Sequence, residues 1–119
     1  MEKNQENQNA GVTEKEAKAT VVENPNLKII TLKSPLNIDG ALFNEIKLDF
    51  GKMTGVDVLK IDEELKSEGY PDGFNSVANQ QVCVRLASRA SGILVDDLAR
   101  LGIADFAEVT FSARNFFFE

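Results

Sequence analysis

Apolar and polar positions alternate along the first half of this chain, in the pattern typical of β-strands. Residues 27–33 are rich in β-branched side chains, and residues 45–50 alternate between charged and apolar ones. Asp39-Gly40 stands between the two runs and favours a two-residue hairpin turn, which needs positive φ at both positions. Pro35 cannot donate a ladder hydrogen bond, so we expect the first strand to bulge or break there, or to lie at an edge. The pattern predicts an antiparallel hairpin.

After the hairpin the apolar residues recur every three or four positions, which indicates helices. Thr54 and Asp57 have the spacing of a shortened capping box at a helix start, and Asn75 or Ser76 is the predicted cap of the next helix. The predicted helices span 54–69, 75–91, 95–101 and 103–118. The predicted core consists of Ile30, Leu32, Ile46, Leu48, Val58, Ile61, Leu65, Val82, Leu86, Ile103 and Phe106.

These elements predict one small α+β domain, with an N-terminal two-stranded antiparallel β-hairpin packed on three or four short α-helices. The domain is expected to span residues 27–119. Residues 1–26 contain no Leu, Ile, Phe or Tyr and are dominated by polar residues. Because such a composition buries little apolar surface, we predict a disordered N-terminal tail there.

The charge balance and the residue inventory exclude several classes of function. The chain has 119 residues and a net charge of −6, which disfavours binding to nucleic acid or to an anionic membrane surface. It has no histidine, and the lone Cys83 allows no intramolecular disulfide. No signal peptide or run of 18 apolar residues is evident, so a cytoplasmic protein without cofactors is expected.

The candidate chemical groups favour structural roles. Asp96 and Asp97 are adjacent on a short helix and point about 100° apart, so they do not converge on one substrate atom. Residues 62–64 are acidic but lack the spacing of a calcium loop, and a solvated helix face is expected. Cys83 stands among aliphatic residues and is interpreted as a buried thiol. No glycine motif of a phosphate-binding loop is present.

The second and last helices carry more apolar residues than one helix face can bury. Val77 and Val84 are spaced seven apart, as are Phe111 and Phe118, and Phe116 opens a run of three phenylalanines. We predict these five residues as a partner-binding surface, since exposed apolar patches mark interfaces. The alternative is that the terminus folds back onto the hairpin and buries them.

The Asp39-Gly40 hairpin, the segment Met53-Thr54-Gly55-Val56-Asp57-Val58-Leu59, two short helices ending near Gly92 and the closing Ala104-Asp105-Phe106 helix carry a resemblance to a known family. Over residues 27–118 the chain resembles the Mu-like tail assembly chaperones of contractile-tailed bacteriophages and prophages. The Thr-Gly-x-Asp step after the hairpin is the most specific element.

The resemblance implies a non-enzymatic assembly factor. Such a protein binds the tape measure protein, a long helical client, and keeps it soluble during tail morphogenesis; the tail tube protein is a second implied partner. Two alternatives stay open: a small structural tail component retained in the particle, and a small ligand-binding domain. Self-association into a homo-oligomer is a further option.

Overall fold

A computed structural model describes residues 25–117, which form a hairpin followed by helices. This confirms the α+β prediction; residues 1–24 of the predicted tail lie outside the described part. In chain order the elements are β1 (Leu27–Ile38), β2 (Ala41–Asp49), a 3-10 helix (Phe50–Lys52), α1 (Gly55–Ser67), α2 (Gln80–Ser91), α3 (Val95–Leu98) and α4 (Ile103–Phe116).

The hairpin turn is the one that the sequence predicts. Asp39 and Gly40 adopt φ values of 52° and 90°, as a two-residue turn of this type requires. The antiparallel register is regular from Leu27 opposite Asp49 to Thr31 opposite Glu45, and it resumes at Leu36 opposite Phe43. The irregular segment of β1 between these stretches contains Pro35, so the expected bulge is confirmed.

A buried carboxylate holds the bulge of β1 in place. Asp105, in the first turn of α4, is 2% exposed. Its oxygens accept the Lys33 N–H at 2.9 and 3.1 Å and the Ser34 N–H at 3.3 Å. These amides have left the ladder at the bulge, and the aspartate satisfies them from an element 72 residues away in the sequence.

Helix α1 begins as predicted, whereas α2 does not. The Thr54 hydroxyl accepts the Val56 N–H at 3.2 Å, and Asp57 accepts the Thr54 N–H at 2.8 Å. The predicted start of α2 at residue 75 or 76 is wrong, because Asn79 is the cap and accepts the Gln81 N–H at 2.8 Å. Ser76 instead closes a local turn through the Ala78 N–H.

The core lies between one face of the hairpin and helices α1, α2 and α4. Eight of the predicted core residues are buried: Ile30, Leu32, Ile46, Leu48, Ile61, Leu65, Val82 and Leu86. Val58 and Phe106 are only half-buried. The prediction for Ile103 is wrong, because this side chain is 89% exposed. Ile103 is the first residue of α4, and in the first turn of that helix it is Asp105 that points toward the hairpin.

We predict that Asp105→Ala destabilises the domain by about 2–3 kcal/mol, because it strands two amides that now bond a carboxylate. Asp105→Asn keeps one acceptor oxygen and is expected to cost less. Urea unfolding followed by circular dichroism measures both effects. Glu108→Ala, at an exposed position of the same helix, is the control, and equal midpoints for Asp105→Ala and Glu108→Ala would contradict the prediction.

Candidate functional site

Three phenylalanines meet where the 3-10 helix after β2 contacts the end of α4. Phe50 follows β2, while Phe116 and Phe117 end α4. The Phe116 ring stacks on the Phe50 ring with centroids 4.5 Å apart, and the Phe117 ring meets both rings edge-on at 5.2 and 6.4 Å. This aromatic cluster attaches the end of α4 to the hairpin.

An apolar pocket opens beside the aromatic cluster. Its volume is about 260 Å³, and Met53, Thr54, Gly55 and Val58 complete its lining. Leu59 follows Val58 on α1 and lies one turn after Gly55, so it lies on the adjoining side of the helix. It is 68% exposed. We call the pocket together with Val56 and Leu59 the apolar site.

The predicted partner-binding residues do not form one surface. Val84 is 5% exposed and belongs to the core, so its predicted exposure is wrong. Val77 is half-buried and precedes α2, so the predicted helical spacing of Val77 and Val84 is wrong as well. Phe111 is 46% exposed, with the Arg114 guanidinium 5.0 Å from its ring centroid. Phe118 lies outside the described residues.

Phe116 and Phe117 combine the two alternatives predicted from the sequence, an exposed partner-binding surface and a terminus buried against the hairpin. Phe116 is half-buried in the aromatic cluster, as a terminus folded back on the hairpin requires, while Phe117 beside it is 41% exposed. Successive side chains at a helix end point in different directions, so Phe116 and Phe117 do not share one environment. The cluster therefore combines an internal anchor with an accessible ring.

Sequence reasoning missed the most exposed apolar side chains. Leu42, Val56 and Leu94 are 64%, 61% and 70% exposed, in addition to Leu59 and Ile103. Leu59 could have been found, since it falls outside the stripe formed by Val58, Ile61 and Leu65. The exposure of Leu94 could not be predicted in this way, because it occupies the N-cap position of α3 and belongs to no periodic run of apolar residues.

Ion pairs join α1 to α2 on the other side of α1. The Arg89 guanidinium lies 3.0 Å from an Asp57 oxygen and 3.1 Å from a Glu64 oxygen. Arg85, which is 7% exposed, donates to Glu68 and, at 2.7 Å, to the Gln81 side chain. A polar pocket of about 340 Å³ borders these groups, but both arginines already have partners.

The carboxylates with shifted acidity all favour the ionised form. The Thr54 N–H bond and then Arg89 lower the pKa of Asp57. The Phe74 N–H bond at 2.8 Å and then Lys66 lower the pKa of Asp62. Asp62 is half-buried, whereas Glu63 and Glu64 are exposed, as the predicted solvated helix face requires. Burial opposes the charge of Arg89, but its bonds to Glu64 and Asp57 raise its pKa. A lowered pKa does not suit a general acid near neutral pH.

Cys83 is buried as predicted. It is 2% exposed, its thiol donates to the Val77 carbonyl with a separation of 2.8 Å, and burial raises its pKa. A raised pKa reduces the thiolate fraction and with it the reactivity of the sulfur. The expected role of Asp96 and Asp97 agrees with their place in the first turn of α3, where Asp97 also pairs with Arg100 at 2.6 Å.

Within residues 25–117, no group of three His, Cys, Asp or Glu side chains is arranged to hold a metal ion. None of the helices in that range is long and apolar enough to cross a membrane. Comparison with protein-family models, curated proteins and solved structures found no match to this chain. Its function is therefore inferred from the residues and their geometry.

We predict that Phe116→Ala lowers the free energy of unfolding by about 2 kcal/mol, because it removes the ring stacked on Phe50. Phe111→Ala is the matched control and is expected to cost less than about 1 kcal/mol, since its ring is 46% exposed. Chemical unfolding measures both. Equal losses would show that the aromatic cluster contributes nothing beyond surface packing.

We expect Asp57 to contribute to acid sensitivity. Its folded pKa lies below its unfolded value of about 3.8, so its contribution is present above that value and is lost as pH falls through the folded pKa. Asp57→Asn should flatten the decline of unfolding free energy below about pH 4. Asp72→Asn, at an exposed loop position, should keep the wild-type slope; the prediction fails if the two variants behave alike.

Proposed function

We propose that this chain is a non-enzymatic tail assembly chaperone that binds the tape measure protein during phage or prophage tail morphogenesis, with the tail tube protein as a second candidate partner. The family is suggested by the resemblance of residues 27–118. The observation that carries the proposal is the apolar site, in which a folded, acidic chain presents an open apolar pocket and, on the same helix α1, two exposed aliphatic residues.

The apolar site has the chemistry needed to hold a helical client. An amphipathic helix presents apolar residues at intervals of three and four, and such residues dock into an apolar groove. Phe117 supplies an aromatic anchor at one end of the site, and Leu59 and Val56 supply aliphatic contacts on α1. A small site with few anchors gives an affinity that lets the client leave when tube subunits replace the chaperone.

The acidic character of the chain supports the same role. A net charge of −6 opposes non-specific aggregation of the complexes that the chain forms. The exposed apolar residues then contact the client with less risk of uncontrolled self-association. The combination suits a protein that keeps an aggregation-prone polypeptide in solution.

Co-expression with the tape measure protein tests the proposal. The wild-type chain should increase the soluble fraction of the client severalfold, and Val56→Ser with Leu59→Ser should lose most of that gain, because it removes apolar contact area. Ile103→Ser is the control: Ile103 is more exposed than Val56 or Leu59, and it begins α4 about 20 Å from the aromatic cluster.

An equally insoluble client with and without the chain would reject the proposal. Equal losses in the double variant and in Ile103→Ser would reject the apolar site as the contact. Mass spectrometry of purified tails separates a chaperone from the retained structural component, since a chaperone should be absent from mature particles.

A further inference from the structure

The outer edge of β2 has no strand beside it within residues 25–117, where the sheet consists of β1 and β2 alone. We propose that this edge is an interface between two copies of the chain, in which β2 pairs antiparallel with β2 of the second copy. The proposal does not depend on the proposed function, because it uses a surface other than the apolar site.

The backbone of β2 is oriented for such pairing. The Phe50 N–H donates to the Asn26 carbonyl at 2.9 Å, which marks these two residues as a hydrogen-bonded pair. Hydrogen-bonded and non-hydrogen-bonded pairs alternate along an antiparallel ladder. The backbone N–H and C=O groups of Ile46 therefore point toward β1, while those of Glu45 and Lys47 point away from it. The outward groups are available to an added strand.

The charges on this edge fit a second copy in one register. Glu45 and Lys47 are exposed, stand opposite the neutral Thr31 and Ile29 of β1, and form no ion pair among the described residues. If Ile46 lies opposite Ile46 of the second copy, Glu45 lies opposite Lys47 of that copy, and Lys47 lies opposite its Glu45. Directly opposite unlike charges stabilise a cross-strand pair.

Neighbouring registers are disfavoured by the same two residues. A shift of two residues along the strand in either direction places Glu45 opposite Glu45 or Lys47 opposite Lys47, and like charges directly opposite are destabilising. A shift of one residue sends the side chains to opposite faces. The edge is therefore complementary to itself in the two-fold arrangement centred on Ile46, as a symmetric dimer requires.

Open space for the second strand lies beside this edge. A pocket of about 380 Å³ is lined by Phe43, Glu45, Ile46 and Lys47 of β2 and by Ser91 and Ile93 after α2. A paired strand lies about 4.8 Å from its neighbour. A strand placed there would cover the apolar walls Phe43 and Ile93 and give a four-stranded sheet, which is more stable than an isolated hairpin.

Charge reversal within the full-length chain tests the proposal. Sedimentation velocity over a concentration series gives the dimer dissociation constant. Glu45→Lys alone, or Lys47→Glu alone, makes both cross-strand pairs like-charged and should raise that constant about tenfold. The double variant E45K/K47E restores both pairs in reversed order and should return to within about twofold of the wild type.

A mixture of the two single variants sharpens the test. In the mixed dimer each pair again joins unlike charges, so the mixture should dimerise more tightly than either variant alone. Lys52→Glu, an exposed change outside β2, is the control for net charge and should leave the constant unchanged. Circular dichroism verifies that every variant is folded.

The proposal is overturned if the wild-type chain stays monomeric throughout the series, an outcome that leaves the edge to a different polypeptide. It is overturned equally if single reversals leave the dissociation constant unchanged, since the dimer then uses another face. Failure of the double variant to recover would also contradict the assigned register.

Discussion

The bond between Asp105 and the bulge of β1 is the constraint on which the arrangement of hairpin and helices depends. A carboxylate that is 2% exposed is stable only if its oxygens are hydrogen-bonded, and the bulge amides of Lys33 and Ser34 supply those bonds. The bulge, in turn, needs an acceptor because these amides have left the ladder. Each feature thus explains the other, and together they fix the start of α4 against the hairpin.

With α4 fixed at its first turn, the aromatic cluster fixes it at its last. Phe116 stacks on Phe50 at the base of the hairpin, so α4 is attached to the sheet at both ends. Helix α1 is attached differently: two of its residues, Ile61 and Leu65, are buried, and ion pairs to Arg85 and Arg89 of α2 complete its contacts. On the outer face of α1, Val56 and Leu59 remain exposed.

The sequence predicted the local structure better than the tertiary contacts. The Asp39-Gly40 turn and the Thr54–Asp57 capping box are determined by a few adjacent residues, and both are present as predicted. Helix α2 starts at Gln80 because Asn79 caps it, and nearby Asn75 and Ser76 offered equally good caps in the sequence. The role of Asp105 could not be predicted, because its partners lie 72 residues away.

The candidate site shows the same limit. Helical periodicity places Val84 and Ile103 on faces, but it does not say which face meets the core, so Val84 was expected outside and Ile103 inside. The structure shows the opposite for each residue: Val84 is buried, and Ile103 is exposed while Asp105 of the same turn is buried. The accessible ring of Phe117 follows from the stacking of Phe116 on Phe50, a contact between distant parts of the chain.

The position of Phe50 has a consequence for how this domain can be joined to other polypeptides. Its amide bonds Asn26 near the start of the described chain, and its ring contacts Phe117 at the end. The two ends of the described segment, residues 25–117, therefore lie near each other, and a few residues would bridge them, which is the geometry that circular permutation requires. A fused protein joined directly at either end of residues 25–117 would emerge beside the same apolar pocket, and its bulk would shield that pocket.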